Sequence, residues 1–292
     1  RMDDDRRADG EGAPATDGAD SGDEGSESAA EDGDRRDAAG KRETAARFGA
    51  AADAYFESDV HRDGADVRTL ASWCADATRA LDVATGGGHT AGAVVEAGVP
   101  RVVGLDAAPE MVATAVAEYG VEGVVGDAER LPFGDDAFDA VACRIAAHHF
   151  PDPEAFVDEV ARVLEPGGTF AFEDNVAPED PKLAAWLNGV ERLRDPTHVE
   201  LLSVSAWTDL FADAGLAVTE TERAKITLDF DAWVERTGVS AADEAELHRR
   251  FRDAPSDAHD RFEVEFAVDA GDDAARVVSW ANPKAVLRAQ TV

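Results

Sequence analysis

Lysine is nearly missing from this chain: four occur in 292 residues (Lys41, Lys182, Lys225 and Lys284), against 62 Asp and Glu and a net charge of −34. Phosphate contacts need clustered cations, so nucleic acid and anionic membrane surfaces are poor partners for such a chain. Cysteine is equally sparse. Cys74 and Cys143 stand in apolar surroundings with no C-x-x-C or metal-like spacing. That excludes a disulfide framework and points to a reduced compartment. No apolar run approaches the roughly 18 residues of a membrane span. The acidic start has no apolar core of the kind a signal peptide carries. No H-x-x-H or acidic cluster has the spacing of a metal site, so no metal is expected.

The charge that is present is unevenly spread. Residues 1–42 hold 14 Asp and Glu against 7 Lys and Arg, which leaves −27 of the −34 on the remainder. An acidic, lysine-poor surface over an ordinary apolar fraction suits high salt, where screening within a few ångströms removes its self-repulsion. A halophile's cytoplasm is the expected setting. Residues 1–42 also lack Leu, Ile, Val, Phe, Tyr and Trp. They cannot build a core and are expected to form a disordered acidic tail ahead of one folded domain, 43–292.

Periodicity orders that domain. Helical spacing marks 43–58 (Phe48, Ala52, Tyr55, Phe56) and 60–77 (Val67, Leu70, Ala71, Cys74). From residue 80 short apolar runs alternate with helical segments: strands at 80–84, 101–105, 123–126, 138–144 and 168–174, helices at 90–97, 109–119 and 153–164. Such alternation predicts βαβ units, a parallel sheet and helices on both faces. Helices at 181–193 and 205–214, a strand at 216–228, a charged helical stretch at 231–254 and β character at 262–268 and 275–289 complete the chain.

The chemistry gathers around Arg79–Thr90, RALDVATGGGHT. A short strand runs into consecutive glycines and then a helix, the turn at which α/β proteins hold nucleotide-like cofactors. Asp82, just before the glycines, can order that loop or hold a cationic group. Asp106 ends the second strand, 20 residues after Gly86. A carboxylate there accepts ribose hydroxyls in dinucleotide folds, although a helix N-cap is the alternative. Asp127 follows the third strand and can accept the exocyclic amine of an adenine, with Ala128 supplying backbone; a solvated turn Asp is its alternative.

LDVATGGGH, GLDAAPEM, GDAERLPFGDDAFDAV and RVLEPGG, in this order and spacing, resemble the class I S-adenosylmethionine-dependent methyltransferases. The nearest branch is the small-molecule group that includes the ubiquinone and menaquinone biosynthesis enzymes. The resemblance covers about residues 45–220. It implies a Rossmann-like α/β fold with a seven-stranded, mostly parallel sheet, helices on both faces and one antiparallel strand near the C-terminus. It sets Ala84, Gly86 and Gly88 against the methionine part of the cofactor, Asp106 on the ribose and Asp127-Ala128 beside the adenine. Arg144 lines the methionyl end, and Ala107 and Met111 join the cofactor-binding residues. Ala84 departs from the pattern, since many relatives have Gly there.

The same resemblance divides the domain into a helical lid (43–78), a cofactor core (79–175) and acceptor-site elements with the C-terminal strands (176–292). It implies a small-molecule acceptor, contacted by Tyr55 and His61 of the lid and by His149 and His198. Methyl transfer needs alignment for in-line displacement, and a general base only if the acceptor is protonated; His148, His149 and His198 are then the candidates. Trp186, Leu187, Leu193, Trp207, Phe211 and Trp233 suit an apolar acceptor pocket or simply a core. The rival reading is a nicotinamide-dependent oxidoreductase, because Gly86-x-Gly88-x-x-Ala91 with Asp106 also fits that fingerprint. Nothing in the sequence sets an oligomeric state.

Overall fold

The computed structural model describes residues 40–50, 64–267 and 275–292. Helical residues 40–50 precede α1 (Ala65–Cys74), after which β and α alternate: β1 (Arg79–Val83), α2 (His89–Glu96), β2 (Arg101–Asp106), α3 (Pro109–Tyr119), β3 (Glu122–Val125) and β4 (Phe138–Arg144). A 3-10 turn (Ala147–His149), α4 (Pro153–Val163) and β5 (Leu164–Asn175) follow. The sequence places each of these within a few residues at most ends. β1 stops one residue earlier than expected, because Ala84 turns out of the strand at φ +54°. β5 begins earlier, the chain of Glu165-Pro-Gly-Gly being carried by a register shift opposite Phe138 and Ala140.

The rest comprises α5 (Pro181–Arg194), α6 (Val204–Asp213), β6 (Leu216–Asp229), α7 (Phe230–Glu235), α8 (Ala241–Arg252), α9 (Ala258–Arg261), β7 (Glu265–Ala267) and β8 (Arg276–Thr291). The single helical stretch expected at 231–254 is broken in two. Gly238 at φ +66° ends the first piece, and Ser240 starts the second by accepting the Asp243 N–H at 3.2 Å. Of the strand expected at 262–268 only Glu265–Ala267 forms among the described residues, while Phe262 turns into a core.

The sheet has eight strands rather than seven, in the order β3-β2-β1-β4-β5-β8-β6, with β7 paired to β8. β1 to β5 run parallel, and β8 is antiparallel to β5, β6 and β7. Alternation sends side chains to opposite faces. Phe170, Phe172, Val141, Leu81 and Val83 meet α4 and α6 on one face, where Trp207 and Phe211 lie. Ala140, Ala142 and Ala171 meet α1, α2 and α3 on the other. Small residues on that second face let those helices approach closely.

β5 pairs with β8 only over Lys284–Gln290, whereas β6 follows β8 back to Ser279. The β6–β8 ribbon therefore overhangs the carboxyl end of β5. A second core of Leu187, Val190, Phe230, Trp233, Leu247, Phe251 and Trp280 is built on this overhang. Asp180, Asp229 and Ser240 cap the helices that pack there, each such cap contributing about 1 kcal/mol. No helix among the described residues is long and apolar enough to cross a membrane.

Candidate functional site

The bend after β1 is held from two sides. Asp82, buried on the helix-facing side of β1, accepts the Thr85 hydroxyl at 2.6 Å and the Ala91 N–H at 3.0 Å through one oxygen. It thereby ties the loop to the first turn of α2, and burial pushes its carboxyl up to about 7. Asp106 accepts the Gly86 N–H at 2.9 Å with one oxygen and the Ala108 N–H at 2.9 Å with the other. Burial raises its pKa as well, and the backbone N–H bonds oppose that rise. Asp106 thus points at the glycine loop and is not the N-cap of α3, a position that Ala108 holds without a side-chain cap.

The two site glycines lack side chains for different reasons. A Cβ at Gly86 would meet nothing within 4 Å among the described residues, so the loop presents bare backbone there. At Gly88 (φ +90°) a Cβ would lie 2.8 Å from Ala115 Cβ and 2.9 Å from its Cα. α3 crowds Gly88, so no side chain fits there. Ala84 keeps a left-handed φ despite its Cβ, at a cost of about 1–2 kcal/mol.

Other expected residues lie nearby with partners of their own. Asp127 accepts Lys41 Nζ at 2.9 Å and the Glu129 N–H at 3.0 Å, and Lys41 also contacts Glu129. Burial disfavours the Lys41 ammonium, but the two carboxylates override it and raise its pKa. Ala128 is buried in the main core. Met111 packs with Ala108 against Ala45 and Phe48 of the 40–50 helix, Ala107 lying in the turn just before. Arg144 does not present an open guanidinium; it donates to Asp66 at 2.8 and 3.1 Å and lies 3.5 Å from Glu173. Glu173 is wholly buried, its pKa raised by burial and pulled back by Lys284 2.8 Å away and by Arg144. Tyr55 and His61 lie outside the described residues.

The three histidines come together. His148 Nδ1 lies 2.6 Å from Asp174 Oδ1, and the His148 N–H donates to Oδ2 of the same carboxylate at 2.9 Å. His149 Nδ1 bonds the Thr197 carbonyl at 3.0 Å, and its ring meets Phe48 edge-on at 5.0 Å. His198 Nε2 bonds Asn188 Oδ1 at 2.9 Å. The ring of His148 lies 4.2 Å from that of His149 and 5.8 Å from that of His198. Burial lowers the pKa of His149 and takes that of His198 down to about 2. For His148 burial acts the same way, but Asp174 outweighs it and raises the pKa.

His148 and His149 line a cleft of about 620 Å³, open solvent included, with Phe48, Ile145 and Asn175. The overhang supplies its far wall: Ile226, Leu228, Trp233, Asn282 and Lys284. Trp233 is the one aromatic of the 175–254 segment that reaches this cleft; Trp207 and Phe211 are core beneath the sheet. Asp174, Lys284 and Asn282 were missed in the sequence. An acidic pair, Glu173-Asp174, closing an apolar strand was the available signal, because the carboxyl end of a parallel strand faces the crevice. No group of three or more His, Cys, Asp or Glu among the described residues could hold a metal ion.

Comparison with known proteins bears on the family and the fold. Residues 81–172 match the family described as "Methyltransferase domain". The chain is 39% identical over 223 residues to the uncharacterized methyltransferase YcgJ of Bacillus subtilis, covering 74% of this chain and 88% of that one. A putative methyltransferase from Bacillus halodurans superposes with a TM-score of 0.72 at 34% identity, over 78% of this chain and 99% of its own. A demethylmenaquinone methyltransferase of Chlorobaculum parvum is 36% identical over 102 residues, 35% of this chain and 42% of that one. The oxidoreductase reading of the Gly-x-Gly fingerprint is not favoured by these likenesses.

Proposed function

The chain belongs to the class I S-adenosylmethionine-dependent methyltransferases, and we propose that it methylates a small molecule held in the cleft beside His148 and His149. S-adenosylmethionine, the family's methyl donor, supplies a methyl group already activated on a sulfonium. The chain's task is then to bind, to align the acceptor and to exclude water, and alignment alone is worth about 7–11 kcal/mol.

The observation that carries this reading is the pairing at Gly86: a bare peptide with nothing above it among the described residues, its N–H held by Asp106. A carboxylate has about four lone-pair sites, so Asp106 keeps capacity for ribose hydroxyls while holding the loop. In this reading Ala84, Gly86 and Gly88 face the methionyl part, Asp82 orders the loop, and Arg144 closes the methionyl end through Asp66. Asp127 and Ala128 flank the adenine, with Ala107 and Met111 beneath it. The domain divides accordingly into a lid (43–78), a cofactor core (79–175) and an acceptor part (176–292). The Chlorobaculum relative is named for a small-molecule substrate. The surplus of acid on the fold supports work in a high-salt cytoplasm.

Calorimetry with S-adenosylhomocysteine in molar salt tests the assignment. We expect micromolar binding to the full chain, weakened at least tenfold in Asp106→Ala and less in Asp106→Asn, which retains one acceptor oxygen. Unchanged affinity in Asp106→Ala refutes the ribose role, and stronger stabilisation by NADH than by S-adenosylhomocysteine refutes the family chemistry.

A further inference from the structure

Asp174 is buried at the carboxyl end of β5 and accepts from three donors. Two come from His148, its backbone N–H and its ring Nδ1, and the third is the Asn175 N–H at 2.7 Å. An acceptor at 2.6 Å fixes the imidazole proton on Nδ1. The neutral ring then carries its lone pair on Nε2, which has no hydrogen-bond partner among the described residues, on a side chain that lines the cleft. The same cleft holds a second unmet group. Asn282 Oδ1 is buried without a hydrogen-bond partner among the described residues, and a buried acceptor of this kind is costly until a donor reaches it. Phe48, Ile145, Ile226, Leu228 and Trp233 give the wall an apolar part, set among the charged Glu191, Arg194, Asp195, Arg236 and Lys284.

We propose, building on the methyltransferase reading, that His148 is the general base of the reaction, that Asp174 is its positioning residue, and that the acceptor is a hydroxylated molecule with an apolar part. As the acceptor oxygen forms its bond to the methyl carbon, its O–H proton passes to His148 Nε2. The C–S bond breaks with its electron pair kept by sulfur, and the neutral thioether leaves. The imidazolium, stabilised by Asp174, returns its proton to solvent before the next turnover. A second hydroxyl or N–H on the acceptor satisfies Asn282.

His149 and His198 do not serve in this way, although they lie against the same ring. Both are held neutral by burial, and a base that weak gains little by taking a hydroxyl proton at neutral pH. The groups acting on His148 are Asp174 of β5, Glu191 and Arg194 of α5, and the rings of His149 and His198. Lys284 of β8 and Asp195 after α5 line the cleft beside it. The Asp174 contribution outweighs burial, so His148 titrates above the ordinary 6.5. Activity should therefore rise with pH through a limb placed above that value.

The test uses the full chain with 15N-labelled histidine in molar salt, saturated with S-adenosylhomocysteine. The imidazole signals lost in His148→Gln assign the ring. We expect a protonated Nδ1, a bare Nε2 and an apparent pKa above 6.5, falling by about one unit or more in Asp174→Asn. A proton on Nε2 in the neutral ring, or a pKa indifferent to Asp174→Asn, overturns the proposal. Release of S-adenosylhomocysteine from S-adenosylmethionine over a panel of phenols and alcohols gives the kinetic arm. For any compound turned over, His148→Gln should lower kcat about 100-fold or more, abolish the acid limb and leave S-adenosylhomocysteine affinity within about threefold. An unchanged limb in that variant overturns the proposal, and the imidazole signals decide whether or not a panel member reacts. Failure of the wild-type chain to bind S-adenosylhomocysteine would instead remove the family reading beneath it.

Discussion

Asp82→Asn should make the protein progressively more stable, relative to wild type, as pH rises. Burial lifts the Asp82 carboxyl to about 7, against about 3.9 in an unfolded chain. Between those values the folded state holds one proton more than the unfolded state, so wild-type stability falls as pH rises through the window. Three pKa units correspond to about 4 kcal/mol, of which about 2–3 kcal/mol lies between pH 5 and pH 8. Asparagine does not titrate. Both donors, the Thr85 hydroxyl and the Ala91 N–H, converge on one oxygen of Asp82. An amide oxygen placed there keeps both bonds, so loop geometry survives the exchange. Differential scanning of both proteins from pH 5 to pH 8, at one fixed salt concentration, isolates the term because every other titrating group cancels. The melting-temperature difference should grow by about 5–10 °C in favour of Asp82→Asn, for a domain of this size. A difference that stays flat across the range refutes the claim that the loop is organised around a protonatable buried acid.

The two loop glycines should respond oppositely to alanine. Gly88→Ala drives a methyl into the Ala115 backbone at a left-handed φ and should cost about 2–4 kcal/mol by denaturant unfolding; Gly86→Ala should cost only about 1 kcal/mol but weaken S-adenosylhomocysteine binding at least tenfold, since its methyl enters the open face. Lys284→Met leaves buried Glu173 with Arg144 alone and should destabilise by about 3–5 kcal/mol near pH 7.5. Because burial raises the Glu173 pKa, the loss should shrink on acidification, and Glu173→Gln in the same background should restore melting at pH 7.5.

Legibility in the sequence followed distance along the chain. The βα order from Arg79 to Asn175 could be read because each element carries its own signal: alternating apolar runs, prolines at the first turns of α3 and α4, and three glycines after β1. Errors arose where a local signal was present but outweighed. Gly238 and the Ser240 cap, which break the helix expected at 231–254, were both visible in TGVSAADE. The charged face of α8 masked them. Arg144 was legible as a residue of the site but not as the partner of Asp66 and Glu173, because a pairing between α1, β4 and β5 leaves no mark in sequence.

The far wall of the cleft was illegible for a stronger reason, which lies in strand length. A parallel strand delivers its last residues to the crevice, so β1, β2, β4 and β5 each announce by position the side chain proposed for the site: Asp82, Asp106, Arg144 and Asp174. The far wall of the cleft comes instead from how far β6 and β8 run past that edge. Only their mutual register, Ala224 with Lys284 through Asp229 with Ser279, brings Leu228 and Asn282 above the end of β5. Two strands pairing over the same span with β8 shifted by one residue would turn Asn282 away from the cleft and put an apolar neighbour, Ala281, in its place. The proposed donor half is thus written in local motifs, and the proposed acceptor half in a register that appears only when the ribbon closes.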